Sequence, residues 1–88
     1  MAENKKLPSA EDYYNRGVRF LENDDYDKAV LCFTKAIQLD KNYTYAYGHR
    51  GFSYLKKGDN NKAIADCTQA IWLNPDYTTP YFTRGITA

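Results

Sequence analysis

Three Tyr-x-x-Arg-Gly clusters stand at one fixed spacing: Tyr13-Arg16-Gly17, Tyr47-Arg50-Gly51 and Tyr81-Arg84-Gly85, each 34 residues from the next. A period of that length belongs to stacked supersecondary units, none of which can bury its own apolar face alone. Residues 10–43 and 44–77 align without a gap, and 12 of the 34 positions are identical. Unrelated segments of average composition would share roughly two. The identities are Tyr13/Tyr47, Arg16/Arg50, Gly17/Gly51, Leu21/Leu55, Asp25/Asp59, Lys28/Lys62, Ala29/Ala63, Thr34/Thr68, Ala36/Ala70, Ile37/Ile71, Leu39/Leu73 and Tyr43/Tyr77. A third unit opens at Thr78 and extends to Ala88, about the length of one helix.

Each unit reads as two helices. Tyr13, Gly17, Phe20 and Leu21 fall at i, i+4, i+7 and i+8, an amphipathic stripe. Ser9 is placed to cap it, with Glu11 and Asp12 in the first turn. Asn23-Asp24-Asp25 breaks the pattern, and Ala29, Phe33, Ala36 and Ile37 form a second stripe. The second unit repeats this with Tyr47, Gly51, Tyr54 and Leu55, then with Ala63, Cys67, Ala70 and Ile71. Asp25 and Asp59 occupy equivalent turns as expected helix caps, and Gly58 is an expected left-handed terminator. Asn74-Pro75 closes the second unit, and Thr79-Pro80 reads as the start of another helix. Gly17 and Gly51 lie mid-helix, where glycine costs about 1 kcal/mol against alanine. Such a cost is reasonable where a neighbouring helix must approach closely.

This pattern resembles the tetratricopeptide repeat family. The residues that carry the resemblance are Tyr13, Gly17, Phe20, Ala29, Phe33 and Ala36, then Tyr47, Gly51, Tyr54, Ala63, Cys67 and Ala70, with Pro75 closing the second unit. The sequence departs from the family where Lys41 stands for a terminal proline, Asp24 for a turn glycine and Cys67 for a large aromatic. The resemblance implies an all-α fold, antiparallel helix pairs stacked as a short right-handed α-solenoid of five helices. The organisation expected is a mobile segment 1–9, repeat 1 at 10–43, repeat 2 at 44–77, and residues 78–88 as the first helix of a third repeat or a capping helix.

Composition narrows the function. Net charge is +1, which gives no bulk pull toward nucleic acid or an anionic membrane. No apolar run approaches the roughly 20 residues of a membrane span, and Met1 to Lys6 is polar with no signal-peptide core. A cytoplasmic location is the corresponding expectation. Cys32 and Cys67 lack metal-ligand spacing and read as small apolar residues in a reducing compartment, too far apart for a disulfide. His49 is the sole histidine and has no serine, cysteine or carboxylate at catalytic spacing. Asp24, Asp25 and Asp27 lack the glycine and distal glutamate of a calcium loop. No catalytic residue, metal site or cofactor is therefore assigned. Arg16, Arg50 and Arg84 repeat in register; each is expected to pack between helices and pair with a carboxylate or carbonyl, in preference to binding phosphate.

Aromatic residues make up 16% of the chain, more than the repeat pattern needs. The resemblance implies that the first helix of each unit lines a concave, peptide-binding face. Carried onto this sequence, that face bears Glu11, Tyr14, Asn15, Val18 and Leu21 from unit one. Tyr45, His49, Phe52 and Lys56 come from unit two, and Thr79, Phe82, Thr83 and Ile86 from unit three. Tyr14, Asn15, Val18, Tyr45, His49, Phe52, Phe82 and Ile86 are the expected partner-binding residues. One branch of the family grips the C-terminal carboxylate of heat-shock chaperones with lysine, asparagine and arginine. At those places this chain has Tyr14, Val18, His49, Thr79 and Thr83, which argues against that mode. The expected function is non-enzymatic capture of a protein or peptide partner in an aromatic groove. The alternative is a self-association module, a homodimer through the C-terminal helix, with Tyr81 and Gly85 at the contact. An enzymatic role has no supporting constellation in these residues.

Overall fold

The computed structural model describes residues 6–76. Among them lie four helices and no strand: α1 Ala10–Glu22, α2 Tyr26–Leu39, α3 Thr44–Lys56 and α4 Asn60–Leu73. Five helices are expected and four are counted; the fifth falls on residues 78–88, outside the described residues. Of the segment 1–9 expected to be mobile, residues 6–9 are described, and Ser9 is engaged as a helix cap.

Local chemistry sets where each helix starts. The Ser9 hydroxyl accepts from the Asp12 amide at 3.1 Å, and the Asp12 carboxylate accepts from the Ser9 amide at 2.8 Å. This capping box satisfies two amides that the first turn leaves without partners. The Ser9 amide also holds the Asp12 carboxyl below the usual carboxylate range. Asp25 and Asp59 cap α2 and α4 in the same way, accepting from the amides of Lys28 and Lys62. Tyr43 stands at the cap position before α3 and provides no side-chain hydrogen bond there. The turn between α3 and α4 carries Gly58 at φ 87°, and the turn between α1 and α2 carries Asp24 at φ 60°. A left-handed residue ends a helix at both places; glycine does so without the steric cost that aspartate incurs.

Turns of three residues join α1 to α2 and α3 to α4, so each pair runs antiparallel. α2 packs on α3 across the repeat boundary, α1 touches α3 only lightly, and α4 meets α3 alone among the described helices. The core is built of small residues around one large ring: Ala29, Ala36, Ala46, Ser53, Ala63, Cys67 and Ala70 are buried with Phe33. The two mid-helix glycines serve this packing differently. A Cβ on Gly17 would lie 2.6 Å from the Phe33 ring, whereas one on Gly51 would lie 3.1 Å from the Ala63 carbonyl oxygen. The exchange of Phe33 for Cys67 at the equivalent position explains the contrast. A ring fills the space under Gly17; where the ring is missing, backbone comes in under Gly51.

The arginine ladder divides. Arg50 bridges both carboxylate oxygens of Asp66, Nε to Oδ2 at 2.7 Å and Nη2 to Oδ1 at 2.8 Å. Its Nη1 reaches the Thr34 hydroxyl at 3.2 Å, tying α3 to α4 and to the preceding repeat. Arg16 departs from expectation: it is exposed and lies over the Tyr13 ring at 5.3 Å. The cause is one substitution between repeats, since Cys32 stands where the second repeat has Asp66. Arg84 lies outside the described residues. Both cysteines are free thiols; Cys67 is buried as expected, while Cys32 is only half-buried, and desolvation pushes its thiol up.

Candidate functional site

Tyr14 stands on the face of α1 that turns toward α3, and it is the centre of an aromatic cluster drawn from both repeats. Its ring centroid lies 5.2 Å from Tyr43, 5.2 Å from His49, 5.8 Å from Phe33 and 6.4 Å from Tyr45. Phe33 lies wholly buried beneath, and its ring also meets His49 at 5.8 Å. Helical geometry accounts for the convergence. Tyr45 and His49 are one turn apart on α3, and Tyr43 sits at that helix's start. Offset and edge-on ring pairs at these separations are favourable beyond the area they bury.

His49 is oriented by its own helix. Its Nδ1–H donates to the Tyr45 carbonyl at 2.9 Å, because a carbonyl can only accept. That fixes the tautomer and leaves Nε2 as the acceptor, with the Tyr14 hydroxyl 3.5 Å from it. Burial pulls the imidazole below its ordinary 6.5, and the Tyr45 hydrogen bond opposes this only partly. The ring is therefore neutral at pH 7 and adds no positive charge to the cluster.

The expected site residues divide by placement. Tyr14, Tyr45 and His49 are brought together. Phe52 is half-buried further along α3, with the Lys56 ammonium 5.7 Å from its ring centroid. Val18 is half-buried and Asn15 exposed, both on α1. Phe82, Ile86, Tyr81 and Gly85 lie outside the described residues, as do Thr79 and Thr83. Tyr14 is half-buried, less open than a freestanding surface aromatic; Tyr45 is the more accessible, at 52%. Two members of the cluster are not among the expected site residues. Tyr43 and Phe33 belong to the repeat pattern and read as scaffold, although both meet Tyr14. A tyrosine at the very start of a groove-lining helix is the signal that could have found Tyr43.

Elsewhere the described surface offers little chemistry. No group of three or more His, Cys, Asp or Glu side chains among the described residues could hold a metal ion. No described helix is long and apolar enough to cross a membrane. A second apolar surface lies on α4, where Ile64, Thr68, Ile71, Trp72 and Pro75 line an open depression. Trp72 is 82% exposed there.

Paired antiparallel helices in tandem, with an aromatic cluster spanning the two pairs, define a helical-repeat protein. Tetratricopeptide repeat models match residues 10–43 and 44–77, and the chain belongs to the tetratricopeptide repeat family. Thirty-five solved chains match it. One is the first TPR of Spaghetti (RPAP3) bound to HSP90 peptide SRMEEVD, at 28% identity and a TM-score of 0.85. That match covers 89% of this chain and 63% of the other, so the chain spans under two thirds of the structure it resembles. No curated protein matches.

Proposed function

We propose that this chain is a non-enzymatic binding module that captures a peptide or partner helix on the face formed by α1 and α3. The observation that carries the reading is the cluster around Tyr14. Aromatic side chains from two repeats converge there, and aromatic anchors in a partly desolvated setting are what protein interfaces use most. Similarity to a repeat domain solved with a bound peptide supports the same class of function. The recognition chemistry differs from a carboxylate clamp. The resemblance places lysine and asparagine where this chain has Tyr14 and Val18, and an asparagine where it has a neutral His49. Apolar burial and ring stacking dominate, with Asn15 and His49 as the polar groups that set orientation. The test is titration of the chain with peptides selected from a random library, comparing it with Tyr45→Ser, a change at an exposed ring that leaves the core intact. A loss of at least about tenfold in affinity is expected for an aromatic anchor. Equal affinity of the two proteins for every selected peptide would move the binding surface elsewhere.

A second reading, self-association, is favoured by the α4 surface. Ile64, Thr68 and Ile71 repeat the Val30, Thr34 and Ile37 positions of α2, the helix that packs on α3 in the first repeat. No described helix covers the corresponding surface of α4. Residues 78–88 of the same chain, or of a second copy, are the two candidates to cover it. Sedimentation over a wide concentration range separates them: growth in mass with concentration supports the homodimer, and a constant monomer mass removes it.

A further inference from the structure

The aromatic cluster has an acidic rim at one end. Glu11 lies one helical turn ahead of Tyr14 and Asn15 on α1 and is exposed. Asp40 closes α2 and is exposed, and its backbone carbonyl accepts from the Tyr43 amide at 3.1 Å. Tyr43 stacks on Tyr14 at 5.2 Å, and the Asp40 carboxylate accepts from the Asn42 amide at 3.0 Å beside it in the chain. The pKa of the Tyr43 phenol is raised by burial first and then by Glu11 and Asp40. Among the described residues neither carboxylate forms an ion pair, although Lys41 follows Asp40 in the same turn. The opposite end of the face is mixed in charge: Lys56 lies over Phe52 in the last turn of α3, and exposed Glu22 closes α1 in line with Glu11 and Val18.

From this geometry, and resting on the groove reading above, we infer that the Tyr14–Tyr43–Tyr45 end of the face receives a lysine or arginine side chain of the partner peptide. Three features favour a cation there. Tyrosine faces attract ammonium and guanidinium groups through the ring quadrupole. Two carboxylates without ion-pair partners among the described residues lie at the rim to complement the charge. The one basic ring in the cluster, His49, is neutral and does not repel it. The same chain already places cations over aromatic rings at Tyr13, Phe52 and Tyr54. The cationic side chain of the peptide lies by Glu11 and Asp40.

The test is display selection of a random twelve-residue peptide library on the full chain at low salt, with Tyr45→Ser as counter-selection and circular dichroism to verify its fold. Peptides that require Tyr45 are expected to share a lysine or arginine at a recurring position. Replacing that residue by glutamine in a selected peptide should weaken binding about three- to tenfold. In the double variant Glu11→Gln, Asp40→Asn that loss should shrink without vanishing, because the tyrosine rings still attract the cation, and an unchanged loss overturns the role given to the two carboxylates. Tyr45-dependent peptides with no recurring cation, or with no loss on its replacement, overturn the inference and leave the groove standing. A selection that yields no Tyr45-dependent peptide overturns both.

Discussion

At the scale of single residues, two arginines at equivalent positions meet different ends because one neighbour differs. The Arg50–Asp66 pair is bidentate, with the side chains only 18% and 9% exposed. Its stabilisation comes from geometry, because both oxygens and two donors are matched and the remaining donor finds Thr34. In the first repeat the partner position is Cys32, and Arg16 sits close enough for its charge to favour the thiolate there. Cys32→Asp should therefore rebuild the pair. The gain expected is modest, about 0.5 kcal/mol, because Arg16 is exposed and solvent screens the pair. A double-mutant cycle with Arg16→Ala isolates it, and a coupling energy indistinguishable from zero in urea unfolding would show that Arg16 cannot reach the new carboxylate.

At the scale of the element, helix boundaries follow short-range rules. Ser9, Asp25 and Asp59 accept backbone amides three residues on, and Gly58 takes the left-handed conformation. These features are legible in the sequence because each depends on one residue and its neighbours within a turn. The 34-residue period is legible for a related reason, since the same helix pair is written twice. The site is legible only in part. Tyr14, Tyr45 and His49 attract notice because the repeat does not require them. Tyr43 and Phe33 are hidden by the opposite argument: their places in the repeat account for them, and their contact with Tyr14 needs three-dimensional placement. The unequal arginines are hidden likewise, since the shared Arg-Gly pair draws attention away from Cys32 and Asp66. The first turn retains a cost that the second avoids, with Asp24 at φ 60° where its counterpart is Gly58. Asp24→Gly should raise stability by about 0.5 kcal/mol, the steric relief being partly offset by a more flexible unfolded chain. The exposed hydrogen bond from the Tyr26 hydroxyl to Asp24 is replaced by water. The denaturant midpoint checks this, with Asp24→Ala as the contrast: an alanine variant as stable as the glycine one would mean the backbone strain is not real.

At the scale of the whole molecule, the two repeats are joined along a seam between α2 and α3, reinforced on one side by Arg50 with Thr34 and on the other by Tyr14 with His49. An exposed Lys57–Asp27 contact at 2.6 Å crosses the same boundary. His49 is the seam's one group that titrates near neutrality, and its direction is clear. Burial lowers its folded pKa below the ordinary 6.5, so the unfolded chain binds the proton more readily. The stability this contributes is complete above pH 6.5 and is lost as pH falls from there through the lower folded value. Asp12 acts in the same sense in a separate, more acidic window, below its ordinary 3.8. Because the seam couples the repeats, protonating His49 should weaken both together and leave a single unfolding transition. Thermal unfolding followed by circular dichroism from about pH 7.5 to 5 should show a falling midpoint. His49→Gln, which has no proton to gain, should flatten that slope over the same range. A wild-type midpoint that stays level, or a slope that survives in the glutamine variant, would show that the imidazole is not desolvated and that the Tyr14 cluster is more open to water than this packing implies.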